Sequence, residues 1–357
     1  MYFTSLSLLS FLAIGVVGQE LPQGVLGFNS GATKADSKAK VESDFEDEFK
    51  TAQGLRGSPG LFNSVRLYSM IQAGTTNSPI SAFPAALKTN TSMLLGIWCS
   101  GTQSIDQEIA AMNSAIEQYG QRFADLVVAI SVGSEDMYRL SESGVANNAG
   151  LGQGPDTIVR FIREVRSAIN GTILGNKPIG HVDSWSAWAN RSNTDVIDEV
   201  DWIGTDVYTY YEADRGNAFS NTTAVFEDIY NQTFAFAGNK TVWVTETGYP
   251  VSGPNSGEAI ASVSNAAQYW QLVGCDRLFG RVNTWWYNIR DSNPAITEKF
   301  GITENLKTTA RFNLTCAADS GAPAPVNVGS GAASSRGGEV LLAVSMAFFG
   351  LSITIWQ

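Results

Sequence analysis

The 357-residue chain is short of histidine, cysteine and positive charge, and each shortage closes off a kind of chemistry. With one histidine, His181, a Ser-His-Asp triad has only one place to form, and no Gly-x-Ser-x-Gly nucleophile motif lies beside it. His181 therefore reads as a structural or substrate-lining residue of a fifth strand. The three cysteines, Cys99, Cys275 and Cys316, are too few for a disulfide scaffold and lack metal-ligand spacing. One bridge and one leftover thiol is the simplest count. Cys99 sits in an apolar run that reads as a buried strand, where a free cysteine behaves as a small hydrophobe, so the expected bridge joins Cys275 to Cys316. No metal and no organic cofactor is implied. Lys and Arg number 23 against 34 Asp and Glu, a net charge of −11, and a phosphate backbone demands the opposite balance. Nucleic acid is excluded as a partner on that ground. Nor does any Gly-x-Gly-x-x-Gly or phosphate loop open a helix after a strand, which removes the main support for an open, doubly wound sheet.

The two ends are apolar in different ways. Residues 1–18 (MYFTSLSLLSFLAIGVVG) carry no charge and close on the small residues Val16 and Gly18, the pattern of a secretory signal peptide. Residues 340–357 form an apolar tail with no Lys or Arg after it. Before it lie the spacer AASSRGGE and the small residues Gly329, Ser330 and Gly331. Small site, polar spacer and apolar tail read as a glycosylphosphatidylinositol attachment signal, and the Ala, Gly, Ser and Pro of residues 319–339 as a flexible stalk. Seven Asn-x-Ser/Thr sequons, at Asn90, Asn170, Asn190, Asn221, Asn231, Asn239 and Asn313, are then candidate N-glycosylation sites and should lie on the surface. The expected location is the outer leaflet of the plasma membrane, held by the lipid anchor, or the cell wall.

Residues 19–318 are enough for one large domain. Eight short apolar runs bounded by turn residues are strand candidates: 24–28, 64–68, 93–98, 126–132, 178–182, 202–207, 242–245 and 282–286. Most are continuous rather than alternating, as in strands buried on both faces of a parallel sheet. Amphipathic stretches of helical length lie between them, among them 106–121 and 156–169, with Asp106 and Asp156 as expected N-caps. Eight such units in one domain make an α/β fold, a single (β/α)8 barrel.

In such a barrel reactive groups project from the C-terminal strand ends. The fourth strand (LVVAISVGSEDMYR) delivers Glu135 there and the seventh (TVWVTETGYP) delivers Glu246. Cleavage of a glycosidic bond needs such a pair, one carboxylic acid for the leaving oxygen and one carboxylate for the sugar carbon. Three segments, TETGYP at Thr245–Pro250, VGSEDMYR at Val132–Arg139 and VRLYS at Val65–Ser69, resemble glycoside hydrolase family 17, the β-1,3-glucanases, and especially its secreted fungal wall members. The resemblance covers most of Gly24 to Cys316. It implies a retaining mechanism on β-1,3-glucan, with Glu246 as nucleophile and Glu135 as acid and then base, the carboxyls about 5 to 5.5 Å apart.

Two departures stand out. Ser134 takes the place of the Asn that usually precedes the acid/base glutamate and contacts the sugar 2-hydroxyl, and NTWWYNIRD (Asn283–Asp291) replaces an acidic, Lys-containing segment on strand eight. Among the strand-end aromatics Tyr68, Trp98, Trp185, Tyr208, Tyr249, Trp285 and Trp286, the expected substrate contacts are Tyr68, Tyr208 and Trp285, joined by Ser134. Alternation lets only one of Trp285 and Trp286 point inward. Asp136 is expected to point away from the cleft. The implied protein is an endo-acting hydrolase, expected as a monomer. Its alternatives are a β-1,3-glucanosyltransferase sharing every catalytic residue and a non-catalytic glucan-binding wall protein.

Overall fold

The computed structural model describes residues Gly24–Ala317. The signal, stalk, attachment and tail expectations, at 1–18 and 319–357, lie outside the described residues. Eight strands run β1 (Leu26–Ser30), β2 (Ser64–Leu67), β3 (Ser92–Ile97), β4 (Val127–Ser134), β5 (Ile179–Ser184), β6 (Trp202–Val207), β7 (Thr241–Thr247) and β8 (Thr284–Trp286). Each pairs in parallel with its sequence neighbours, and β1 also pairs with β8, closing a (β/α)8 barrel. Every strand candidate became a strand, with no end moved by more than two positions.

The helix Pro155–Ile169 shows why the outer layer forms. Ile158, Val159, Phe161, Ile162, Val165 and Ile169 recur at helical spacing and are all buried, each such side chain stabilising the domain by about 1.5–3 kcal/mol. The two expected N-caps are corrected. Asp106 is the first residue of the helix Asp106–Tyr119, behind Ile105, and Asp156 is the second residue of its helix, where Pro155 takes the first position behind Gly154. Both aspartates instead lie in the first turn, where a negative charge meets the positive end of the helix dipole.

The barrel interior is filled by Leu94, Ala129, Val182, Trp202, Trp243 and Trp285. Trp202 and Trp243 stack with centroids 4.1 Å apart, worth about 0.5–1.5 kcal/mol beyond the area they bury. Three indoles fit because glycines face them: a Cβ at Gly180 would strike the Trp202 ring and one at Gly27 the Trp285 ring. Trp285 is therefore core, not a substrate contact, and its Nε1 donates to the Ser64 hydroxyl at 3.1 Å. Trp286 points the other way, against Tyr269, Trp270 and Phe279 of the helical layer. Cys275 and Cys316 form a disulfide, and Cys99 is a buried free thiol. With Gly24, Asn63 and Ser92 at the starts of the first three strands, both bridged cysteines line a cavity of about 550 Å³ at the base of the barrel.

Candidate active site

Glu246 projects from β7 into the mouth and is almost wholly buried. Alternation along β2 places Arg66 and Tyr68 on the inward face beside it. Arg66 Nη1 and the Tyr68 hydroxyl each donate to Glu246 Oε1 at 2.6 Å, and the Tyr208 hydroxyl donates to Oε2 at 2.6 Å. Arg66 is itself aimed: its Nη1 donates to Asn29 Oδ1 at 2.9 Å, and Asn29 Nδ2 donates to the Thr245 and Trp285 carbonyls. Burial acts against a charge on Arg66, but the carboxyls of Asp206 and Glu246 outweigh it and hold the guanidinium above its ordinary value. For Tyr68 and Tyr208, burial first and the Glu246 charge second push both phenols well up. They stay neutral donors. Charge-assisted bonds of this kind are about twice as strong as neutral ones and fix the carboxylate's direction.

Glu135 is held differently. It follows β4 in a left-handed conformation, φ 56°, unusual for a residue with a side chain. Gly133, φ 89°, leads into the turn, and a Cβ there would strike Asp136 and His181. The turn is tied from below by backbone bonds. Asp136 Oδ2 accepts from Ser134 N, Asp183 accepts from Met137 N and Tyr138 N, and Glu135 N donates to the Val182 carbonyl. His181 lies beneath, Nδ1 on the Val132 carbonyl at 2.6 Å and Nε2 on Asp183 at 3.1 Å. Two acceptors call for two ring protons. Burial opposes the charged ring, but the Asp183 hydrogen bond and the charges of Asp183 and Asp136 prevail and raise it above its ordinary value. His181 is structural, and Asp136 is buried away from the mouth with its other oxygen taking the Ser100 hydroxyl at 2.6 Å.

The Glu135 side chain retains 17% exposure, and its nearest cation is Arg139, 3.7 Å away. Burial raises its carboxyl to about 7, with Arg139 pulling down and the charges of Glu246 and Asp183 pushing up. The pair thus divides into a carboxylate clamped by three donors and a carboxyl that titrates near neutrality.

Of the expected contacts, Tyr68 and Tyr208 reach the mouth, where both hydroxyls are spent on Glu246. Ser134 is buried and its hydroxyl accepts from Arg66 Nη2 at 2.9 Å, so Arg66 spans from one glutamate to the residue beside the other. Trp98 is half-buried at the rim, with the Arg139 guanidinium 5.4 Å over its ring. Arg66, Asn29, Asp206 and Tyr287 were not singled out by sequence, yet all belong here: Tyr287 feels the charges of Glu246 and Glu135, and Asp206 pairs in register with Glu246. Period-two counting would have found two of them, because Arg66 precedes Tyr68, and Asp206 precedes Tyr208, by two residues. Among the described residues, no group of three His, Cys, Asp or Glu is placed to hold a metal ion.

A (β/α)8 barrel with one clamped glutamate and one of raised pKa facing a common mouth has the layout of a two-carboxylate glycosidase. The chain belongs to the BtgE/BtgC glycoside hydrolase domain family, whose model matches residues 27–304. It is 55% identical over 292 residues to a probable glucan endo-1,3-beta-glucosidase, eglC, of Aspergillus oryzae, covering 81% of this chain and 62% of that protein. The chain thus spans less than two thirds of that relative's length. A second probable glucan endo-1,3-beta-glucosidase, from Aspergillus fumigatus, is 52% identical over 296 residues, covering 82% of this chain and 66% of that one. The fold is also that of the glycoside hydrolase family 17 β-1,3-glucanosyltransferase from Rhizomucor miehei, at 18% identity and a TM-score of 0.63, covering 80% of this chain and 98% of that one.

Proposed function

We propose that the protein cleaves β-1,3-glucan internally with retention of configuration, Glu246 acting as nucleophile and Glu135 as acid and then base. The observation that carries this reading is the unequal treatment of the two carboxyls, three donors on Glu246 against a Glu135 raised to about 7. In the first step Glu246 bonds to the anomeric carbon as Glu135 gives its proton to the departing glycosidic oxygen. In the second, water attacks that carbon, gives its proton to Glu135, and the ester to Glu246 breaks. The eglC relatives supply the choice of β-1,3-glucan. One barrel holds both carboxyls, so a monomer suffices.

The test is mass spectrometry of the products formed from laminari-oligosaccharides, with Glu246→Ala as control. Shorter products alone, absent in the control, are expected. Products longer than the substrate would make the second acceptor a sugar hydroxyl, and unchanged oligosaccharides would leave a glucan-binding protein.

We propose also that the protein is secreted and lipid-anchored. The apolar segments at 1–18 and 340–357 support this, and so do the seven sequon asparagines, all exposed on the barrel surface. Release from intact cells by a phosphatidylinositol-specific phospholipase is the expected result. Retention after such treatment would contradict the anchor.

A further inference from the structure

Two buried carboxyls face one buried guanidinium at the floor of the mouth. Asp206 on β6 is 4% exposed, Glu246 on β7 2%, and Arg66 on β2 1%. Asp206 and Glu246 are register partners on adjacent strands. The Thr245 hydroxyl donates to Asp206 Oδ1 at 2.7 Å, while Oδ2 has no hydrogen-bond partner among the described residues. The other groups acting on Asp206 are Glu135, beyond β4, and Tyr208, just past the end of its own strand, and its partner on β5 is the uncharged Ser184.

A buried carboxylate with one oxygen unbonded is costly, more so beside a second carboxylate. One cation opposite two carboxyls balances a single negative charge. In the resting site that charge belongs to Glu246, which holds the three donors, and Asp206 keeps its proton. Burial first, and the Glu246 charge second, hold the Asp206 carboxyl well above its ordinary value, with Arg66 pulling the other way.

The balance changes when Glu246 bonds to a sugar. Its charge is consumed in the ester, so Arg66 loses the anion it touches. The charge that arises on Glu135 stands against Arg139, 3.7 Å away, and weighs less on Asp206 than that of Glu246 did, so the larger repulsion that kept the proton on Asp206 is gone. We propose that Asp206 is a charge-compensating positioning residue, which passes its proton to water as the glycosyl ester forms and becomes the counter-charge of Arg66. When the ester breaks, Glu246 regains its charge and Asp206 takes a proton back from water, so the cycle consumes none. Arg66 then has a negative partner throughout and need not move between steps. This rests on the reading of Glu246 as nucleophile.

The test traps the ester with a 2-deoxy-2-fluoro-β-laminaribiosyl fluoride, whose fluoride leaves without an acid. It uses the full chain carrying Glu135→Gln, so that Glu135 contributes no proton. Peptide mass after trapping reads the nucleophile: label elsewhere than Glu246 overturns the catalytic reading itself. Proton release, followed with an indicator dye from roughly pH 5 to 7, reads the new inference. The expected result is a maximum near one proton per labelled enzyme, lost when Asp206→Asn is added. Labelled Glu246 with no release at any pH overturns the proposal. Should the double variant fail to fold, the infrared difference spectrum of the single variant decides. Trapping should remove the carbonyl band of a protonated carboxyl as the ester band appears, and an ester band alone would refute the exchange.

Discussion

The two sides of the mouth are built on opposite plans. The Glu246 side is a convergence of side chains, with Arg66 from β2, Tyr68 just beyond it and Tyr208 beyond β6 all donating to one carboxylate inside the barrel, and Asn29 from β1 holding Arg66 in place. On the Glu135 side a left-handed turn is fastened through its backbone by Asp136 and Asp183, and the functional carboxyl is left with one distant cation at 3.7 Å. Side-chain donors fix a direction, which an attacking oxygen needs. Backbone ties fix a position and leave the protonation state to the surroundings, which a group that gives and regains a proton needs. The contrast supports the roles proposed for the two glutamates.

Three experiments strain that contrast. The largest effect is expected from the glutamates themselves. Glu246→Ala should lower kcat on laminarin by at least about 10⁴-fold with binding retained. Glu135→Gln should cost about 10²–10⁴-fold on glucan and far less on an aryl glycoside with a good leaving group. Equal losses on both substrates would erase the distinction between the two sides. Next comes Tyr208→Phe, which deletes one of the three donors and should lower kcat/KM by about 10–100-fold without moving the pH profile. A moved profile would show that the donors serve titration as well as direction.

The smallest effect concerns pH. Glu135 must carry a proton at the start of the reaction, so kcat/KM should fall as pH rises through about 7, where its carboxyl titrates. Arg139 pulls that value down, so Arg139→Gln should carry the alkaline limb upward. A limb that stays put, or moves down, would mean that Arg139 acts only through its bonds to the Ser134 and Ala149 carbonyls and the Ser100 hydroxyl.

The barrel and the placement of both glutamates at its mouth were legible in the sequence, because strands buried on two faces leave continuous apolar runs and strand-end positions are fixed by fold class. What escaped was decided by phase. Trp285 and Trp286 are adjacent and alike, and only the β1–β8 register, Gly27 against Trp285, tells which one enters the barrel. Asp106 and Asp156 carry the residue type of an N-cap but fall one and two positions inside their helices. The partners of Glu246 come from strands far apart in sequence, with Arg66 180 positions away, so no local pattern joins them.

The bridge at the base of the barrel also sets a load path. Cys275 and Cys316 are 41 positions apart and enclose β8 and Tyr287 between them. A pull applied beyond Ala317 meets the covalent link at Cys316 and passes straight into the helical segment Trp270–Leu278 that carries Cys275. The enclosed strand and the aromatic ring beside the mouth stand outside that line of tension, so a tether could be drawn taut without tugging on the chemistry.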